Sequence, residues 1–135
     1  MLRKLQSIEP VTHLGRLRKL EVFGCRKVAD VDLLSRNAAL EVLDLAGVHI
    51  RDAAFIGQLS RLTRLSFETI GSIPSIQFIT RLRQLEDVHL TDTKVVDGDM
   101  SPFLELPKLK RALFKRFRHS THASDAINAS LRARD

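Results

Sequence analysis

The 135-residue sequence contains no tryptophan, no tyrosine and a single cysteine, Cys25. One cysteine excludes an internal disulfide. The opening M-L-R-K-L-Q-S-I-E-P places charges where a secretion signal needs an uninterrupted apolar stretch. Together these set a reducing, cytoplasmic location as the expectation. No apolar run approaches the roughly 20 residues that span a bilayer, so no membrane span is expected. With neither Tyr nor Trp, base stacking has little to work with, and no nucleic-acid motif is present. Also absent are a glycine-rich phosphate loop, a carboxylate pair and a nucleophile–base arrangement, so the chain is not expected to be an enzyme or to need a cofactor. His119 and His122 lie three apart, but no further ligand completes a tetrahedral set, and Asp97-Gly98-Asp99 lacks the spacing of a calcium loop. No metal is expected. No histidine is held near Cys25 by sequence, so a catalytic thiol is not expected.

Turning to what is there, 44% of the residues are apolar, carried by Leu, Ile and Val. That is enough for one domain with a core. The net charge is +6, and its distribution matters more than its size. Residues 108–135 hold eight Lys or Arg against two acids, whereas residues 1–107 hold fourteen of each sign. A neutral body therefore carries a basic end.

The central observation is repetition. The stretch Leu40 to Val48 reads L-E-V-L-D-L-A-G-V, and its L-x-x-L-x-L spacing ends in the period-2 alternation of a strand with one buried face. The same spacing, L-x-x-[LVA]-x-[LVF], starts at Leu17, Leu62, Leu85 and Leu109, with steps of 23, 22, 23 and 24 residues. Between the strands, apolar residues recur every three positions, as in Ile73, Ile76, Ile79 and Leu82. That interval suits a short 3₁₀ or α turn folding back on the strand. Each unit is then strand, turn, short helix, turn. No unit can bury its apolar face alone, so the units must stack, with their strands in one parallel sheet.

These units resemble leucine-rich repeats of the short 22–24-residue kind found in internalin-like proteins, over about residues 8–118. The resemblance implies an α/β solenoid with a parallel sheet on a concave face, short 3₁₀ or α turns on the convex face, and a protein partner bound by the sheet. One position departs. The family's ninth position is usually Asn, whose side chain holds the turn after the strand. Here it is Cys25, Val48, Ile70, Thr93 and Phe117, so the turns must be held in another way.

The expected division is a solenoid over 1–118, with a partial first repeat and about five strands, and a helical cap or tail over 119–135. Ile8-Glu9-Pro10-Val11 mirrors Met100-Ser101-Pro102-Phe103, which predicts that the chain begins just after an absent strand. An open end of this kind needs a fold-back of residues 1–7, a partner or a further domain. At the other end, Ser124 is expected to N-cap a short helix with Ile127 and Leu131 on one face. The sequon Asn128-Ala129-Ser130 reads as chance without a secretion signal.

Positions three, five and seven of each strand face away from the core. They form three columns: Lys19, Val42, Arg64, Asp87, Arg111; Glu21, Asp44, Ser66, His89, Leu113; and Phe23, Ala46, Glu68, Thr91, Lys115. Arg64 with Asp87, and Asp87 with Arg111, are candidate cross-strand ion pairs. Glu21 beside Asp44 is a like-charge pair, which is mildly destabilising in a sheet. Lys19 and solvent can neutralise it, or Glu21, Asp44 and Glu68 form an acidic patch for a basic partner segment, with Phe23 as an apolar anchor. The basic run of Lys108, Lys110, Arg111, Lys115, Arg116 and Arg118 is either a solvated terminal strand or an anionic-surface site. The leading expectation is a protein-binding module acting through Lys19, Glu21, Phe23, Asp44, Arg64, Glu68, Asp87, His89 and Arg111. The alternatives are a docking subunit of a larger enzyme or signalling assembly, and a binder of nucleic acid or membrane through residues 108–118.

Overall fold

A computed structural model describes residues 2–3, 7–25, 29–115 and 123–134. Six parallel strands form one sheet in chain order: β1 Leu2–Arg3, β2 Lys19–Phe23, β3 Val42–Ala46, β4 Arg64–Ile73, β5 Asp87–Val95 and β6 Arg111–Phe114. The near-constant repeat length sets the register, because one step along the array brings equivalent residues side by side. Leu20, Leu43, Leu65, Val88 and Ala112 form one buried ladder, and Val22, Leu45, Phe67, Leu90 and Phe114 form the next. The expectation of an absent first strand is corrected. β1 pairs with β2 through Leu2–Val22 and Arg3–Phe23, and a two-residue strand is too short to leave a periodic signal.

The chain returns through 3₁₀ segments Glu9–His13, Val31–Arg36, Ala54–Gln58, Gln77–Arg81 and Ser101–Glu105. With three residues per turn, side chains at i and i+3 eclipse and make one apolar stripe. Along the third segment and its flanks Ala53, Ile56, Leu59 and Leu62 are all fully buried. The same residues carry the hydrogen bonds: each of Ile56, Leu59 and Leu62 donates its N–H to the carbonyl three residues back, at 2.9–3.0 Å. The second repeat breaks this stripe with a polar residue. Asn37 stands where the other repeats have leucine, is buried, and donates Nδ2 to the carbonyls of Val11 and Leu14 in the preceding repeat at 3.1 and 3.3 Å.

The turn after each strand has a rule of its own. The eighth position is left-handed in all four described repeats: Gly24 (φ 66°), Gly47 (65°), Thr69 (54°) and Asp92 (48°). Glycine adopts this conformation without penalty, whereas β-branched Thr69 does so under strain. At position nine, Val48, Ile70 and Cys25 are buried in the core, which accounts for the missing Asn. Backbone bonds take over its task. Gly24 N–H donates to Ala46 O at 2.8 Å and Gly47 N–H to Glu68 O at 2.9 Å. In the fourth and fifth strands the ladder simply resumes past the turn, pairing Gly71–Thr93, Ser72–Lys94 and Ile73–Val95. Where position nine is polar it serves its own repeat: Cys25 Sγ donates to Phe23 O at 3.3 Å and Thr93 Oγ1 to Thr91 O at 3.1 Å.

Beyond β6 the helix α1, Ser124–Arg132, buries Ile127 and Leu131 against the last repeat. Phe114 faces the core and stacks on Phe103 with ring centres 5.5 Å apart. Ser124 does not act as the expected N-cap. It is the first helical residue, and its hydroxyl donates to Ala112 O at 2.6 Å and accepts from Phe114 N–H at 3.3 Å. One turn later the buried Asn128 accepts from Ala112 N–H and donates to Ala112 O, both at 2.8 Å. A side-chain amide thus replaces the backbone of a neighbouring strand at this edge. Arg134 adds bonds to Leu106 O at 2.9 Å and Leu109 O at 3.0 Å. The expected boundary at 118/119 falls among residues 116–122, outside the described residues.

Candidate functional site on the open face of the sheet

The strand register lines up the outward columns as the repeat predicts. Lys19, Val42, Arg64, Asp87 and Arg111 are neighbours in sequence of strands, as are Glu21, Asp44, Ser66, His89 and Leu113, and then Phe23, Ala46, Glu68 and Thr91. The face is not uniformly open. Ala46 is buried, because its methyl lies in register between the larger Phe23 and Glu68, which corrects its reading as an outward-displayed residue. Phe23 and Val42 are half-buried, so the β2–β3 part of the face has an apolar floor.

Charge on this face divides into groups that neutralise each other and groups that do not. Lys19 Nζ lies 3.1 Å from Glu21 Oε1, as its place two residues along the strand allows. Arg18 meets Glu41 at 3.4 Å, and Lys110 meets Glu86 at 3.2 Å. Asp87 is held from two sides. Arg111 Nη2 donates to its Oδ2 at 2.9 Å, and His89 Nε2 lies 3.0 Å from its Oδ1 and 3.3 Å from Arg111 Nη2. A protonated Nε2 donates to Asp87, and an unprotonated one accepts from Arg111. Of the two expected ion pairs of Asp87, the one to Arg111 is present. Arg64 has no ion-pair partner among the described residues; the Asp87 oxygens meet Arg111 and His89 instead.

Among the charged residues of this face Asp44 is the outlier. Its Oδ1 is buried and meets no hydrogen-bond donor among the described residues. Burial pushes its carboxyl pKa up, and Glu21 and Glu68 push it further, opposed by Ser66 and His89. The sequence signals the Glu21–Asp44 adjacency but not that one oxygen is shut away from water. Beside it, Glu68 is exposed and has no ion-pair partner among the described residues.

Three of the six residues of the basic run are engaged within the chain. Lys108 Nζ donates to Gln84 Oε1 at 2.6 Å, Lys110 pairs with Glu86 and Arg111 with Asp87. Lys115 is exposed, while Arg116 and Arg118 lie outside the described residues, as do Phe117, His119 and His122. At the rim, Val42, Arg64, Asp87 and Arg111 line a groove of about 590 Å³, with Thr63, Glu86 and Lys110. Cys25 is buried, and so is the Asn128 of the sequon. Among the described residues no group of three His, Cys, Asp or Glu is placed to hold a metal ion. Nor is any helix there long and apolar enough to cross a membrane.

No family model and no curated protein matches this chain. Solved structures do. An internalin, inlF, from Listeria monocytogenes str. 4b F2365 superposes with a TM-score of 0.64 at 20% identity, covering 82% of this chain and 31% of that one. Internalin C2, inlC2, of the same strain superposes with a TM-score of 0.60 at 20% identity, covering 82% of this chain and 57% of that one. The chain thus spans about a third and somewhat over half of the two structures it matches. Taken with the parallel sheet and the 3₁₀ returns, the chain has the leucine-rich-repeat solenoid fold of internalins.

Proposed function

We propose that this chain is a non-enzymatic protein-binding module whose open sheet face engages a basic segment of a partner protein. The observation that carries the reading is Asp44. A carboxylate with one oxygen shut from water and two acids beside it lowers the stability of the free chain. A lysine or arginine from a partner, set against the accessible side of this half-buried carboxylate, supplies the missing countercharge. Phe23 and Val42, half-buried next to it, offer apolar contact area, and aromatic anchors dominate interface energetics. The superposition on internalins supports the fold that presents this face. The cytoplasm stays the proposed location, on the single cysteine alone.

Two other readings have less support. Lys108, Lys110 and Arg111 are already engaged within the chain, which weakens the basic end as an anionic surface. Docking through the first-strand end has to reckon with β1, which occupies the edge beside β2.

The test is co-purification followed by a measured affinity. The protein that co-purifies with the wild-type chain is identified, and its Kd is then measured for wild type and for Glu21→Lys/Asp44→Lys. The reading expects a loss of tenfold or more with the circular dichroism spectrum unchanged. An equal Kd for both chains sinks it.

A further inference from the structure

If the open face is the binding surface, as proposed, the charges left over after internal pairing specify its partner more closely than the acidic patch alone. Within the footprint of β3 and β4 three charged groups have no ion-pair partner among the described residues: Arg64, Asp44 and Glu68. They are of both signs and occupy fixed register positions. Arg64 lies next to Val42 at the rim, in the groove of about 590 Å³. Asp44 lies two residues further along the neighbouring strand, and Glu68 two further again on β4 itself.

We infer that the partner segment carries a carboxylate that docks on Arg64 in the rim groove and, beside it, a basic side chain that docks between Asp44 and Glu68. The geometry gives the spacing. Two residues along a strand are about 6.6 Å and one strand across is about 4.8 Å, so the Cα atoms of Arg64 and Asp44 lie about 8 Å apart, and the point midway between Asp44 and Glu68 lies about 10 Å from Arg64. Side chains three or four apart on a helix, about 5–6 Å between Cβ atoms, reach both sites once their length is counted. Acid and base three or four positions apart are therefore the fit. Arg64 offers a planar fork suited to a carboxylate, and Val42 gives the stem of the incoming side chain an apolar seat.

The same pattern argues against other occupants. A phosphate-rich surface satisfies Arg64 but sets more negative charge against Asp44 and Glu68. A partner that is basic alone satisfies the acids and leaves Arg64 facing like charge. A second copy of this chain must bring Arg64 and the acids together across a two-fold axis, and light scattering reads that out directly.

The experiment uses the full chain and a phage-displayed library of random 12-residue peptides. Enriched peptides are measured by fluorescence anisotropy against wild type, Arg64→Glu, Asp44→Asn/Glu68→Gln and Phe23→Ala, each checked for folding by circular dichroism. The expected result is that enriched peptides pair an acid and a base three or four positions apart. Arg64→Glu and Asp44→Asn/Glu68→Gln each weaken them tenfold or more, and replacing the peptide's acid by lysine restores binding to Arg64→Glu. Peptides that lose affinity with Phe23→Ala but not with the charge variants overturn the charge pattern while leaving the open face as the binding site. Peptides indifferent to all three variants, or no enrichment over a blank selection, overturn both. A dimer in light scattering that Arg64→Glu dissolves assigns the face to a second copy and overturns the inference.

Discussion

Replacing Asn128 by alanine withdraws both hydrogen bonds that its amide makes to Ala112 at the edge of β6. The two losses are unequal. Ala112 O keeps the hydroxyl of Ser124 at 2.6 Å, so it loses a second partner, at about 0.5–1.5 kcal/mol. Ala112 N–H is left under α1 with no replacement, at about 1–3 kcal/mol. The sum is about 1.5–4.5 kcal/mol, a large share of the roughly 5–15 kcal/mol that keeps a domain folded. Because repeats contact only their neighbours, the loss is felt first in the last layer. Chemical denaturation followed by circular dichroism measures the total, and amide hydrogen exchange at Ala112 locates it. The expected outcome is a lower midpoint, with exchange at Ala112 accelerated well beyond that at Leu65 in the middle of the sheet. A change under about 0.5 kcal/mol with Ala112 still protected refutes the claim that this side chain stands in for a strand.

Three further perturbations probe separate features. Thr69→Gly relieves a left-handed β-branched residue, worth about 1–2 kcal/mol, against a glycine entropy cost of about 0.5–1 kcal/mol. The variant should unfold at slightly higher denaturant, and a clear drop contradicts the strain argument. Asp44→Asn removes a carboxyl whose pKa is raised in the folded chain, so its ionisation opposes folding at neutral pH and its protonation favours it. The variant should gain about 0.2–1 kcal/mol at pH 7. That gain should fade as acid protonates Asp44 in the wild type, whereas a pH-independent difference counts against it. Asp30 is the opposite case. It accepts from Ser7 Oγ at 2.6 Å and Ile8 N–H at 2.9 Å, and the Ser7 bond is the main cause of its lowered pKa. Asp30→Ala should cost about 1–2 kcal/mol at pH 7, a cost that shrinks as pH falls through the carboxylate range and the contribution of the ionised form is lost. Equal destabilisation at pH 7 and in acid would show that packing, not charge, joins the first two repeats.

What the sequence discloses is what recurs. The leucines of Leu40–Val48 and their counterparts define strands, register and both faces, since each repeat states the same rule again. The outward columns follow from that rule, and so does the adjacency of Glu21 and Asp44. The rest is singular. Asn128, Ser124 and Arg134 act on backbone groups ten or more residues away, and no periodicity marks such contacts. Asn37 was within reach, because it lies on the three-residue stripe of Val31, Leu34 and Leu40, where a polar residue must find partners. That Asp87 turns to Arg111 and His89 and leaves Arg64 unpaired depends on which side chains reach its two oxygens, and two flanking arginines make both outcomes equal on paper. Val48 and Ile70 show how a missing family residue is replaced. The turn is held by the backbone and the side chain joins the core.

The claim that the open face is the binding surface is tested most directly by placing a photoreactive benzoylphenylalanine at Ser66, in the middle of the columns, and separately at Gln58, exposed in the 3₁₀ return of the third repeat. Illumination with the co-purifying protein present should give a cross-link from position 66 and none from position 58. A cross-link from 58 alone, or equal yields from both, contradicts the account.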